Sequence, residues 1–541
     1  MRANAATNMS GYSQATYALD AARRSRGEVT SLAALLLPGL GAVVFAVTLL
    51  QVLFLSQGAQ ALFRDSDTGW HVRSGEAILS TAAAPRADRF SYTRDGRQWF
   101  AWEWLLDALL GGAHRIAGLP GVALLAALAI ALTAWGVARL SLSLGGDLFF
   151  TAAATVLLLG TTSIHWLARP HVFSWLLTLL FLCVAEHERR SPGRALYWLP
   201  LPACLWANMH GSFLLGPAIL FLYAIGEWLE GIANCELRIA NLQSGRISNF
   251  EFRNAKFNAG LRFAAACLAS LLATLINPYG WRLHEHVVTY LQNDYLMDHI
   301  SEFRSFSFHS PGALYVELFL LVAVLGVVAL LRQRAFGPAL LAFGILHVAL
   351  YSARHLPTAA VSLLPLCVAA LTREARDWSS LRPLLDYSER LRAIDRKIWG
   401  VVPILLVLAG TLAGLGTLAR AGGVGFSSAL FPVRAADFLE QRQATGRLFA
   451  KDQWGGYLIY RFAGRTKVFM DGRSDFYGRD LLETYARVVE VKPGWDAVLK
   501  QYDIRFVLVP PDNALASVLQ LRPDWKRVYV DPVAALFERV G

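Results

Sequence analysis

Long apolar runs separated by short polar breaks dominate the chain from residue 31 to about 420. Eleven of them fit helices at membrane depth, near 31–56, 119–140, 148–167, 172–186, 195–208, 212–229, 262–277, 311–331, 335–351, 356–371 and 399–420. Several fall short of the roughly 20 residues of a straight span, which predicts tilted, broken or half-buried members of the bundle. Two stretches have a different pattern. Residues 57 to 117 mix polar and aromatic positions, with amphipathic helical spacing near 69–80 and again in AWEWLLDALLGGAHRIA at 101–117. From about 426 onward short β-type runs (RLFAK at 447, KVFM at 467, RFVLV at 505, KRVYV at 526, AALFER at 534) alternate with helical spacing at 433–442 and 479–501, the signature of a small α/β domain over 426–541.

Composition agrees that most of the chain sits in lipid: 55% of its 541 residues are hydrophobic and 17% charged. The net charge of +11 does not point to nucleic acid, because Lys and Arg lie in clusters between apolar segments rather than on one soluble face. Those clusters set the topology. With the N-terminus inside, the inner loops hold Arg189, Arg190 and Arg194, then Arg238, Arg246, Arg253 and Lys256, then Arg332 and Arg334, then a run from Arg373 to Lys397. Counting 101–117 as a further span would move most of these outside, so it reads as an interfacial helix carrying Trp99, Trp102 and Trp104 at the membrane surface. Residues 1–30 then form a cytoplasmic segment with Arg23, Arg24 and Arg26 ahead of a retained signal-anchor, and eleven spans place 426–541 outside, in the periplasm of a bacterial inner-membrane protein. The five cysteines lie in or beside apolar segments, so no disulfide framework is expected.

Ionisable groups near membrane depth are costly and usually functional. Here they gather at the outer ends of the helices: Asp65, Asp67, His71, Arg73 and Glu76; Arg169 and His171; Asn208 and His210; Asn277, Tyr279, Arg282, His284 and His286; Arg354 and His355. Bland readings compete with each. Asp65 and Asp67 could cap the helix that begins near Gly69, Arg169 and Arg354 could snorkel to headgroups, and His284 or His286 could be ordinary loop histidines. The run DGRSD (Asp471 to Asp475) is oxygen-rich enough to be a candidate divalent-cation site, though a Gly-containing turn after a strand is the plainer reading. No cofactor beyond that cation is suggested, and no metal site is assigned.

The segment DTGWHVRSGEAILSTAAAPRADRFSYTRDGRQWFAWEWLLDALLGGAHRIAG resembles the first outer loop of the GT-C glycosyltransferases, especially the protein O-mannosyltransferase and lipid A aminoarabinose transferase branch. That branch carries an acidic pair just after the first helix, an aromatic three or four residues later, a Gly and Pro further on, and a Trp-bearing interfacial helix closed by Gly. By the resemblance Asp67 takes the place of the catalytic base and His71 that of the aromatic, while Thr68 stands where the family has its second acid. Arg169, Pro170 and His171 match an Arg/Pro/Asp-type motif except for the Asp.

The resemblance implies a GT-C-like bundle over 31–420 that moves a sugar from a polyprenyl-phosphate carrier to a lipid, glycan or protein acceptor, by single displacement with inversion. In that reading Asp67 accepts the acceptor's proton, and Asp65, His71, Arg169, His171, His210, Tyr279, Arg354 and His355 bind substrate. A base and cations facing the departing phosphate are each typically worth orders of magnitude in rate, and Arg adds a fixed charge with a bidentate fork. The rival reading is a non-enzymatic scaffold or transporter whose α/β tail binds a partner. Polar groups gathered at one face, without an internal repeat, argue against the transporter.

Overall fold

The computed structural model describes residues 31–240 and 246–540. The segment 1–30, with the cytoplasmic location expected for it, lies outside the described residues, as do the side chains of Arg238, Arg246 and Arg253.

All eleven predicted apolar segments fall on helices. Among the described residues, seven helices are long and apolar enough to cross a membrane: Leu32–Phe54, Trp104–Ser143, Leu148–His165, Gly211–Ala233, Ala313–Arg332, Ala353–Ala375 and Val401–Arg420. Ala195–Ala207 and Phe336–Tyr351 are apolar but no longer than 17 residues, so they reach at most about 25 Å, less than a roughly 30 Å hydrocarbon core. His171–Arg190 ends in Glu186, Glu188, Arg189 and Arg190, and Arg246–Ala273 begins with polar turns. Seven full-length spans therefore stand where eleven were predicted, with the other four segments as short or charge-ended helices of the same bundle. The eleven-span count that placed the two ends of the chain on opposite sides is not reproduced by length and composition alone.

The interfacial helix and the span after it form one run, Trp104–Ser143, broken at Ala117 and Gly118 (φ 62°, ψ −154°). Glycine tolerates that left-handed backbone, and Pro120 follows two residues later. The helix Asp67–Thr81 packs against the first half of this run, and both belong to the stretch 57–117, the outer loop of the predicted topology.

The C-terminal unit holds a four-stranded sheet ordered β1-β2-β4-β3, with β1 (Arg447–Ala450), β2 (Ile504–Val509), β3 (Trp525–Val530) and β4 (Ala535–Arg539). β1 and β2 are parallel; β4 runs antiparallel to both β2 and β3. Two details depart from the sequence reading. The predicted helix at 479–501 is two helices, Ser474–Val489 and Trp495–Gln501, split before Gly494, which adopts φ 86°. KVFM forms no strand: Val468 makes single parallel bridges to Leu448 on one side and to Ser91 of the outer loop on the other.

That bridge explains the tail's placement. Tyr92 N donates to Val468 O at 3.1 Å, and Val468 N donates to Phe90 O at 3.0 Å. Around it Trp70, Phe90 and Trp99 of the outer loop are buried in one apolar cluster with Phe431, Trp454, Tyr457, Leu458, Leu508 and Leu536. Removing that shared apolar surface from water ties the two regions together. Close backbone approach completes the joint. A Cβ added to Gly69 would lie 2.3 Å from Gly456 O, and one added to Gly456 would lie 2.3 Å from Ser66 O. The helix carrying Asp67 thus rests directly on the helix Asp452–Phe462.

Candidate active site

Asp67 opens the first turn of its helix, but its side chain does not cap it. Asp65 makes the local turn, its Oδ1 accepting from Asp67 N at 2.9 Å. Both carboxylates face Arg169, which arrives from the connection between the helices Leu148–Thr162 and His171–Arg190. Arg169 Nη1 lies 2.6 Å from Asp65 Oδ2, and Nη2 lies 3.0 Å from Asp67 Oδ2. A third acid joins them. Glu302 Oε1 is 3.2 Å from Arg169 Nη1, and its Oε2 is 3.7 Å from Arg354 Nη1. Arg354 also covers the ring of Phe303 at 5.3 Å.

Three carboxylates thus share two guanidinium groups, one negative charge too many if all ionise. Burial and the number of facing cations together decide which acid gives way. The side chain of Asp67 is 9% exposed, against 24% for Asp65 and 27% for Glu302. Desolvation, joined by the charges of Asp65, Asp471 and Glu302, outweighs Arg169 and pushes Asp67 up to about 7. For Glu302 burial works the same way, yet Arg169 and Arg354 together overcome it and bring the acid down to about 2. The network therefore holds one carboxyl group poised near neutrality, which suits a general base.

These residues line a cavity of about 670 Å³ between the outer loop and the C-terminal unit. One side carries Arg64, Asp65, Asp67, Arg169, Glu302 and Arg354; the other carries Asp452, Gln453 and the turn Asp471 to Asp475. Trp99, Phe100, Trp102, Tyr290 and Tyr295 supply aromatic wall between them. Arg64 has its Nη2 on the backbone carbonyls of Ser163 and Ile164, with the charge of Asp65 acting on it from the neighbouring position. Glu103, also on the wall, is held well above the usual carboxylate range, first by burial and then by Asp107 and Asp475.

Of the nine predicted site residues, Asp65, Asp67, Arg169 and Arg354 come together here. The other five do not line the cavity. His71 lies one turn behind Asp67 and is buried, with Nδ1 2.6 Å from Asp107 Oδ1 and its ring 3.6 Å from that of Trp70. Burial first, then Arg169, pushes its imidazole well below the ordinary value, which favours the neutral form. His171 Nε2 donates to His165 O at 2.8 Å. His210 Nδ1 pairs with the hydroxyl of Ser212 at 2.8 Å and caps the turn that follows. Tyr279 bridges two stretches of outer loop, its hydroxyl donating to Pro85 O and accepting from Ala101 N. His355 heads the helix Leu356–Ala375 beside Arg354.

Sequence reasoning passed over Glu302 and Arg64, although the rule that selected Asp67, an ionisable group at the outer end of a span, covers both. The run DGRSD, expected as a turn after a strand, follows no strand: it bends at Gly472, with Ser474 N donating to Gly472 O at 2.8 Å, and its last two residues open the helix Ser474–Val489. As for a cation there, Asp471 is engaged by Arg473 (2.6 Å) and Asp475 by His286 (3.0 Å). Among the described residues no group of three or more His, Cys, Asp or Glu side chains is arranged to hold a metal ion.

No protein-family model and no curated protein matches the sequence. Solved structures do. The oligosaccharyltransferase of Archaeoglobus fulgidus in its apo form superposes with a TM-score of 0.53 at 12% identity, over 86% of this chain and 68% of that one. The same organism's AglB, in complex with an inhibitory peptide and a dolichol-phosphate, gives 0.50 at 12% identity over the same shares. ArnT from Cupriavidus metallidurans in the apo state gives 0.48 at 16% identity, over 92% of this chain and 97% of that one. A multi-pass helical bundle, an outer loop of two helices and the likeness to the archaeal enzyme agree: this chain has the fold of the GT-C membrane glycosyltransferases.

Proposed function

We propose that the protein is a membrane glycosyltransferase that moves a sugar from a polyprenyl-phosphate carrier to a hydroxyl acceptor at the outer face of a bacterial inner membrane. The observation that carries this reading is Asp67, poised near neutrality on the wall of a cavity that also presents Arg64 and Arg354. The fold supports it, as does the dolichol-phosphate in the archaeal AglB structure.

In the reaction, the acceptor oxygen attacks the anomeric carbon while the bond from that carbon to the phosphate oxygen breaks. The phosphate leaves with the bonding electrons, and Asp67 takes the acceptor's proton. A single displacement inverts the anomeric centre. Arg354 and Arg64 face the departing phosphate, because Arg169 is already committed to Asp65, Asp67 and Glu302. Arg169 instead aligns the base and restrains its charge. Asp65, whose Oδ1 holds the turn, supports the same alignment.

The test follows labelled sugar from a polyprenyl-phosphate donor in membranes with and without the protein. Asp67→Asn keeps size and shape but accepts no proton, and it lowers transfer by on the order of a hundredfold or more. Asp65→Asn has a milder effect. Wild-type turnover in Asp67→Asn rejects the assignment; no turnover by the wild type with any donor supports a scaffold instead.

A further inference from the structure

Gly472 of the C-terminal unit faces the cavity directly against the proposed base. A Cβ added there would lie 2.0 Å from Asp67 Oδ1 and 2.8 Å from Oδ2. Any side chain at this position therefore has to displace the carboxylate. The requirement is steric, since Gly472 is not among the positive-φ glycines.

The turn that presents Gly472 is fixed from both sides. Arg473 Nε and Nη2 grip the two oxygens of Asp471 at 2.8 and 2.6 Å. Nη2 also reaches across to Asp88 Oδ1 of the outer loop at 2.9 Å. Asp88 is held in turn, its Oδ2 accepting from Ser91 N and the Ser91 hydroxyl. The guanidinium lies over Trp99 of the outer loop at 4.6 Å, and the Tyr477 hydroxyl donates to Asp471 Oδ2 at 2.7 Å. All of Asp88, Asp471 and Arg473 are buried. An anchor of this density, with a charge-assisted pair inside an aromatic cage, exceeds what a surface turn needs.

We infer that the Asp471–Arg473 turn is a positioning device for the base: Arg473 pins the C-terminal unit to the outer loop through Asp88, and Gly472 confines the Asp67 carboxylate against Arg169. The α/β tail is then a working part of the site rather than a separate binding module. This rests on the proposed role of Asp67 for its consequence on rate, but not for its consequence on the carboxylate itself. The charged groups that face Asp67 are Asp65 ahead of its helix, Arg169 and Glu302 from two outer connections, and Asp471 from this turn; His71 lies one turn along its own helix.

The experiment uses the full-length protein in detergent or membranes and compares wild type with Gly472→Ala and Gly472→Ser. Two readouts are taken across pH 5 to 9. One is transfer at saturating donor; the other is carbodiimide-driven amine labelling of Asp67, read by mass spectrometry of the peptide. The expected result is a kcat at least tenfold lower in both variants at little changed melting temperature and donor KM. The pH dependence of Asp67 labelling should also move to lower pH, because the methyl pushes the carboxylate toward cavity water. Arg473→Lys should retain the labelling profile better than Arg473→Gln, which keeps no charge for Asp88. A folded Gly472→Ala whose Asp67 labelling profile equals that of the wild type overturns the inference, whatever its activity. A shifted profile without loss of transfer upholds the positioning and counts against Asp67 as the base.

Discussion

Arg169 holds Asp67 at 3.0 Å and Asp65 at 2.6 Å, joining the outer loop to a connection 104 residues further along the chain. One guanidinium thereby organises two acids of the loop and a third, Glu302, from beyond the middle of the sequence. Its charge is spoken for, so in the proposed mechanism it arranges Asp67 and leaves the phosphate to other cations.

Replacing Arg169 should consequently harm the fold as well as the chemistry. Arg169→Gln leaves three carboxylates crowded without the guanidinium that joins them, and breaking one partner from a buried ion network typically destabilises by about 3–5 kcal/mol. Arg169→Lys restores the charge but not the fork that serves Asp65 and Asp67 together, so it recovers part of the loss. Thermal melting of the purified protein measures both. A Gln variant melting with the wild type would show that the network contributes little.

Asp67 also sets a pH dependence whose sign can be worked out. Its ordinary value is 3.8 and its folded value about 7. Between those values the folded protein binds more protons than the unfolded chain, so this group's contribution to stability is full below 3.8 and is lost as pH rises through 7. Asp67→Asn removes that dependence. The melting temperature of the variant relative to wild type should therefore climb from pH 5 to pH 8. In the same window wild-type kcat/KM should rise with an acid limb near pH 7, as the base loses its proton. A constant melting difference across the range would contradict the folded value.

That Asp67, Asp65, Arg169 and Arg354 meet on one cavity follows from a pattern visible in the sequence, because ionised groups at the ends of apolar helices are expensive to keep there. The same filter also selects residues that lie off that cavity. His171, His210 and Tyr279 sit at similar positions, but they satisfy backbone groups nearby: a carbonyl of His165, a capped turn at Ser212, and loop atoms of Pro85 and Ala101. Polarity at a helix end does not tell a tie from a ligand. The bundle was legible from hydropathy, and the break at Ala117 and Gly118 from the change to an amphipathic pattern. What could not be read was the docking of the tail. A turn such as DGRSD looks the same in sequence whether it faces solvent or presses on a carboxylate, and the short run KVFM takes its place only from partners at Leu448 and Ser91.

That docking gives a further prediction. Gly69 and Gly456 let two helices touch backbone to backbone, so a methyl on either must drive them apart. Gly69→Ala and Gly456→Ala should each cost about 1–3 kcal/mol, the usual range for overpacking. Because both separate the same pair of helices, the double variant should cost less than the sum, which a double-mutant cycle of melting free energies detects. Full additivity would mean that the two glycines do not share one contact.

The remaining prediction concerns Arg354, whose ion pair among the described residues is to Glu302, at the long separation of 3.7 Å, and which lines the cavity with a side chain 28% exposed. A cation so placed is available to a ligand in a way that Arg169 is not. If it meets the phosphate of the donor in the bound state, Arg354→Gln should raise the donor KM by tenfold or more, since a hydrogen bond to a charged group contributes roughly 1.5–3 kcal/mol. Contact with the leaving oxygen would add a fall in kcat, because charge builds there in the transition state. Inhibition by a polyprenyl phosphate without its sugar isolates the binding step, and it should weaken by the same factor. Arg64→Gln should act in the same direction, and the two changes together should exceed either alone. If the inhibition constant stayed at the wild-type value in both variants, the phosphate would lie elsewhere in the cavity and the orientation of the donor proposed above would have to be reversed.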